Sequence, residues 1–148
     1  MITINQIKQL REETEVSIQE CKKALGAAGG DLTKAKEILR KWGRELARKK
    51  AQRETIQGII ESYIHPNKKV GVLLEICCET DFVAKSKDFQ KLAHELCLQI
   101  AAMGDEAIPF PEQPWIKDES KTVQELIDEY IAKLGENIII KRFARYAI

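Results

Sequence analysis

The sequence predicts an α+β protein. A three-helix bundle occupies residues 1–43, a basic helical linker residues 44–54, and an α+β core residues 55–148, where a three-stranded antiparallel sheet carries helices on one face. Three observations predict this. Apolar residues recur at helical spacing through residues 3–42, and each stretch opens on a Thr, Ser or Asp. From Thr55 to Cys77 the pattern becomes that of two strands around the turn Pro66-Asn67-Lys68-Lys69. Helical spacing then returns at residues 88–102 and 122–134, enough to cover one face of a sheet.

The first helix starts near Thr3 as N-cap, with Ile4, Ile7 and Leu10 on one face. The second opens at Ser17. Glu20 stands three residues on, which is a capping-box spacing, and Ile18, Cys21, Leu25 and Ala28 fall on one stripe. Gly29-Gly30 ends it, since glycine takes the left-handed cap conformation without strain. Asp31 caps the third helix, whose stripe is Leu32, Ala35, Ile38, Leu39 and Trp42, and Gly43 is expected to close the unit. Short amphipathic helices bury their faces only against one another, so the three form a bundle resembling the ubiquitin-associated type. The following Arg44–Arg53 stretch is strongly basic and rich in helix formers, which fits a solvated linker; contact with RNA is the lesser reading, because no aromatic is interleaved to stack on bases.

Ile56, Ile59, Ile60, Tyr63 and Ile64 form the first strand, with a bulge expected near Gly58, and Val70–Cys77 returns beside it. After a turn at Thr80 comes a long helix, with Phe89, Leu92, Ala93, Leu96, Ile100 and Met103 inward. Pro109, Pro111 and Pro114 argue against regular structure between Met103 and Trp115. A further helix spans Thr122 to Leu134, capped at Gly135, and Asn137–Tyr146 is the last strand.

Composition excludes several functions. The 148 residues are 44% hydrophobic and 32% charged, with a net charge of +1, less basic than a dedicated nucleic-acid binder. Residues 1–55 carry 13 Lys and Arg against 8 Asp and Glu; the remainder carries 11 against 15, so the two parts differ in electrostatic character. No stretch reads as a membrane span or a signal peptide, and the cytosol is the expected location. Cys21, Cys77, Cys78 and Cys97 match no zinc spacing and read as buried free thiols in a reducing compartment; Cys77 and Cys78 point to opposite faces of a strand, which places one in the core and leaves exposure open for the other. His65 and His94 have no nucleophile or ligand set nearby, and no GxxxxGK[ST] loop is present. No catalytic, metal or cofactor site is expected, which leaves binding.

The residues that stand out are Thr80-Asp81-Phe82-Val83-Ala84, after the run Glu75–Glu79. Thr80 is placed as an N-cap and Asp81 suits the positive end of a helix dipole. By spacing alone, Phe82 reads as an ordinary core aromatic. Glu79-Thr80-Asp81-Phe82-Val83-Ala84-Lys85, with Phe89 beyond it, resembles the signature of the elongation factor Ts family. Lys8–Thr14, Cys21–Leu25 with Gly30-Asp31, and Lys133–Ile138 with Arg142 resemble other stretches of that family, in its order and along nearly the whole chain.

The resemblance implies a guanine-nucleotide exchange factor for the translational GTPase elongation factor Tu. It implies that Phe82 wedges into an apolar pocket between helices of the GTPase, and that Asp81 and its backbone disturb the network holding the partner's magnesium ion. Arg11, Ile18, Gln19 and Lys22 fall where the family docks on the nucleotide-binding domain, although Gln19 stands where an apolar residue is common. Many members also carry a second core unit and a helical hairpin, for which the segment Gly104–Ser120 is too short. Short members are expected to form homodimers. This chain has no cysteine in its last strand, so a dimer here is noncovalent, and Ile138-Ile139-Ile140 with Phe143 suits either a dimer or a sheet packed on two faces. The rival readings are a binding module without exchange activity and an RNA-binding protein using Arg44–Arg53.

Overall fold

The computed structural model describes residues 2–104 and 107–148. Three helices come first: α1 (Ile4–Thr14), α2 (Ile18–Ala27) and α3 (Leu32–Lys50). Their N-caps are local and legible. Thr3 and Gln6 form a reciprocal capping box, and the Ser17 and Asp31 side chains accept from the N–H groups of Glu20 and Lys34. At Ser17 the return bond from Glu20 is not made. Leu10, Cys21, Ala24, Leu25 and Ala35 form a small closed core with Ile7, Leu32, Leu39 and Trp42 around it. Ile4 and Ile18 face solvent instead of joining that core.

Gly43 does not end the third helix. Helix α3 runs on to Lys50, because Gly43 serves as a point of close approach: a Cβ there would stand 3.7 Å from the Ala132 Cβ of the later helix α6 (Val123–Leu134). The basic stretch is therefore mostly a continuation of α3. One helix closes the bundle and lies on the core.

Strands β1 (Gln57–Ile64), β2 (Val70–Cys78) and β5 (Ile139–Ala147) make an antiparallel sheet with β2 central. Gly58 causes no bulge in β1; its register with Cys77 is regular, and a Cβ would collide with the Ile76 carbonyl oxygen. The irregularity lies between β2 and β5, at Glu75/Ile76. A short helix α4 (Asp81–Ala84) and the long α5 (Lys87–Met103) follow β2.

The proline-rich segment is more ordered than its composition suggests. One 3-10 turn forms at Phe110–Glu112, and Pro114 opens β3 (Pro114–Trp115), which pairs with β4 (Asp118–Thr122). Proline is tolerated as the first residue of a strand, where no ladder N–H is needed. Buried Gln99 pins this segment to α5 by donating to Gln113 Oε1 and the Pro114 carbonyl and accepting from the Ile116 N–H. Asp105 and Glu106 lie outside the described residues.

Helices α4 and α5 cover one face of the sheet, and α6 packs on α5 and α3, around Leu74, Ile76, Phe89, Leu92, Leu96 and Ile131. The opposite face is open. Ile60, Ile64, Leu73 and Tyr146 are exposed there, on pairs that share the outward side of the register. Phe143 takes the other side and packs on Phe110 with ring centroids 5.3 Å apart.

All four thiols are unpaired and buried, so neither Cys77 nor Cys78 is the exposed one of the pair. Burial pushes the Cys97 thiol up to about 12 and the Cys78 thiol to about 11. Thiols that ionise near pH 8.5 when unfolded but much higher when folded stabilise the fold fully below that pH. The contribution is lost as pH rises through about 11–12. We therefore expect a thiol reagent at pH 8 to label the native chain slowly and the urea-unfolded chain at once. Prompt labelling of folded protein would mean that the core opens locally.

Candidate functional site

Strand β2 delivers the chain to a turn at Glu79-Thr80. Thr80 has extended backbone angles (φ −125°, ψ 153°), and its hydroxyl accepts the Val83 N–H at 3.3 Å, starting α4. Val83 and Ala84 are buried and seat this single helical turn on the core. Ser86 caps the next helix directly: its hydroxyl donates to the Val83 carbonyl at 2.7 Å and accepts the Phe89 N–H at 3.2 Å. Two capped starts back to back make a stiff corner.

The corner projects Phe82 outward. Its side chain is 86% exposed, whereas Phe89, seven residues on, is 0% exposed. Spacing alone puts both in the core; helix α4 turns Phe82 away from it. So placed, the Phe82 ring adds little to the packing of the core. Asp81 is also exposed, and its carboxylate meets the Lys85 ammonium at 2.8 Å, one turn along. That hydrogen bond raises the pKa of Lys85.

Sequence reasoning missed the residues that hold the corner from outside. Gly135 ends α6 in the left-handed conformation (φ 76°), and the chain passes through Glu136 and Asn137 toward β5. Glu136 Oε1 accepts the N–H groups of Glu79 at 3.1 Å and Thr80 at 3.0 Å, and Oε2 accepts the Thr80 hydroxyl at 2.6 Å. In return, Glu79 Oε2 accepts the Asn137 N–H at 2.6 Å. The Asn137 amide donates to the Arg53 carbonyl at 2.9 Å. These partners lie more than 50 residues apart in the chain, so no local pattern announces them.

The four residues expected to dock on a partner are in the bundle. Arg11 is in the last turn of α1; Ile18 and Gln19 are in the first turn of α2, with Lys22 one turn later. All four are exposed, and Ile18 is 52% so despite its apolar side chain. The bundle is tied to the core by Lys133 of α6, which meets Glu15 at 2.9 Å and Asp88 at 3.4 Å. Among the described residues, no group of three or more His, Cys, Asp or Glu side chains could hold a metal ion.

The family model for elongation factor Ts matches residues 79–148, beginning at the corner itself. The whole chain is similar to elongation factor Ts of Coprothermobacter proteolyticus, 39% identical over 193 aligned positions that take in 99% of this chain and 98% of the relative. It is 41% identical to that of Thermotoga petrophila over 191 positions, covering 99% of this chain and 96% of the relative. The chain belongs to the elongation factor Ts family.

Membership places it among factors of translation elongation in protein biosynthesis. With 148 residues set against 193 aligned positions, at least 45 positions (193 less 148) are unfilled here. Since those positions already take in 98% of the Coprothermobacter relative, that protein has no room for a second copy of residues 55–148 either. The shortening thus concerns a smaller segment than a whole core module.

Proposed function

We propose that this chain is a cytoplasmic guanine-nucleotide exchange factor that binds elongation factor Tu, speeds GDP release and departs when GTP enters. The observation that carries this reading is Phe82, exposed on a clamped turn beside Asp81. In this reading Arg11, Ile18, Gln19 and Lys22 dock on the nucleotide-binding domain of the GTPase. Phe82 then wedges between its helices, and Asp81 disturbs the contacts of its magnesium ion. Magnesium bridges nucleotide and protein, so weakening its seat removes much of the affinity for GDP. A factor that favours the nucleotide-free GTPase must lower nucleotide affinity by the reciprocal factor. No covalent bond is made or broken, and the chain is not an enzyme in that sense. Among the described residues, no helix is long and apolar enough to cross a membrane.

The test is release of fluorescent GDP from elongation factor Tu at fixed magnesium, with and without the chain. Acceleration supports the proposal; binding without acceleration would make the chain a docking module only. RNA binding is the weaker alternative, because Arg44 and Arg53 of the basic stretch lie within ion-pair distance of Glu125 and Glu79.

A second copy of the chain is the occupant we propose for the open sheet face. Tyr146 and Ile64 flank Gly71 there, and Leu73 sits in the next row. The same face carries its own charge complement, Glu75 beside Arg142 at 2.7 Å, which a two-fold partner can exchange. We expect sedimentation equilibrium to give a dimer that Leu73→Glu converts to a folded monomer. A wild-type monomer at high micromolar concentration would rule the dimer out.

A further inference from the structure

The corner that bears Phe82 begins at Thr80, whose N–H and hydroxyl both donate to one carboxylate. Glu136 takes two consecutive backbone N–H groups and one hydroxyl, 57 and 56 residues distant along the chain. The Thr80 hydroxyl donates to Glu136 and accepts from Val83, so its orientation is determined at both ends. With the hydroxyl fixed, the start of α4 is fixed, and with it the side on which Phe82 stands out. Glu79 returns the grip by accepting the Asn137 N–H, and Asn137 also holds the Arg53 carbonyl just beyond the end of α3. The turn bearing Phe82 and the helix that closes the docking bundle therefore share one anchor.

Glu136 contributes little to the core. It is only half-buried, and water can satisfy the donors it now binds. Its three contacts all go to the two residues ahead of Asp81. A wedge acts best when it arrives already shaped, because a loose turn must be ordered at the moment of insertion.

We propose that Glu136 is a positioning residue for nucleotide exchange: its carboxylate holds the Asp81-Phe82 corner in its working orientation, and so sets the rate of the exchange step and not the affinity of docking. This rests on the exchange reading above. In it Phe82 inserts, and Glu136 acts through the turn that it holds.

The experiment compares wild type, Glu136→Ala and Glu136→Gln. The GDP-release rate is followed to saturation with each chain, and amide hydrogen exchange is measured on each chain alone. In Glu136→Ala we expect faster amide exchange confined to residues 79–83, with β2 and α5 unchanged. The maximal release rate should fall about tenfold, while the half-saturating concentration stays within about twofold. Glu136→Gln keeps an amide oxygen that accepts N–H groups, so it should recover most of the rate. It also carries the test if the alanine variant does not fold. Unchanged protection at residues 79–83 would overturn the clamp whatever the exchange assay shows. A loss confined to half-saturation, or no loss with the turn released, would overturn its role in exchange. A wild-type chain that fails to accelerate release would overturn the exchange reading, and the role assigned to Glu136 in that step with it; the amide data would still decide whether the clamp exists.

Discussion

Replacing Phe82 by alanine should reduce the acceleration of GDP release by at least about 30-fold, the factor corresponding to the roughly 2 kcal/mol that a central aromatic anchor contributes to a protein interface. The same substitution should leave the fold almost untouched. The side chain is 86% exposed, and the turn beneath it is seated by Val83 and Ala84, which are buried, and held by Glu136. Surface truncations of this kind change stability by about 0.5 kcal/mol or less, which for a chain of this size shifts the melting midpoint by roughly 2 °C at most. A parallel measurement of release rate and thermal unfolding decides the matter. A midpoint lowered by many degrees would mean that Phe82 packs inward in solution and that the wedge is misassigned. Asp81→Asn should likewise leave stability almost unchanged, since its partner Lys85 lies on the surface, where water screens the pair.

Much of this fold was legible because its punctuation is local. Thr3, Ser17, Asp31, Thr80 and Thr122 each cap a helix through a backbone N–H three residues away, so the signal lies inside a short window. The strands follow from alternation, and the inward face of α5 from helical spacing. What misled was glycine and proline. Gly43 and Gly58 look like a stop and a bulge, but each marks close approach of a distant element, Ala132 in one case and the Ile76 carbonyl in the other. Glycine at a turn and glycine under a crossing chain have the same local sequence signal; only the tertiary contact separates them. Pro114 likewise hid a strand start. The site was half legible. Its helix cap could be read from Thr80-Asp81, but the outward aim of Phe82 could not be read from spacing, and it was the family signature that singled the residue out. Glu136 was visible only within the separate Lys133–Ile138 stretch that resembles the family, because the contact joining it to Thr80 spans 56 residues.

Phe89→Ala should show the opposite behaviour. Phe89 belongs to the same signature, but it is 0% exposed in the first turn of α5, inside the cluster that includes Leu74, Leu92 and Ile131. Cutting a buried phenyl ring to a methyl group removes its transfer free energy and leaves a cavity, at a cost of about 3–5 kcal/mol. Against a total stability of about 5–15 kcal/mol for an ordinary domain, that is a large fraction. The melting midpoint should fall by roughly 10 °C or more, and the urea midpoint should fall with an unchanged slope. Phe89→Leu, which keeps more of the volume, should lose much less. Exchange activity of Phe89→Ala should track the folded fraction: weak near the lowered midpoint and restored on cooling, because the ring is sealed from any partner. The two phenylalanines thus separate contact from packing. Should Phe89→Ala keep its midpoint and yet lose exchange at every temperature, the ring would have to reach the partner, and the core around α5 would have to open to let it.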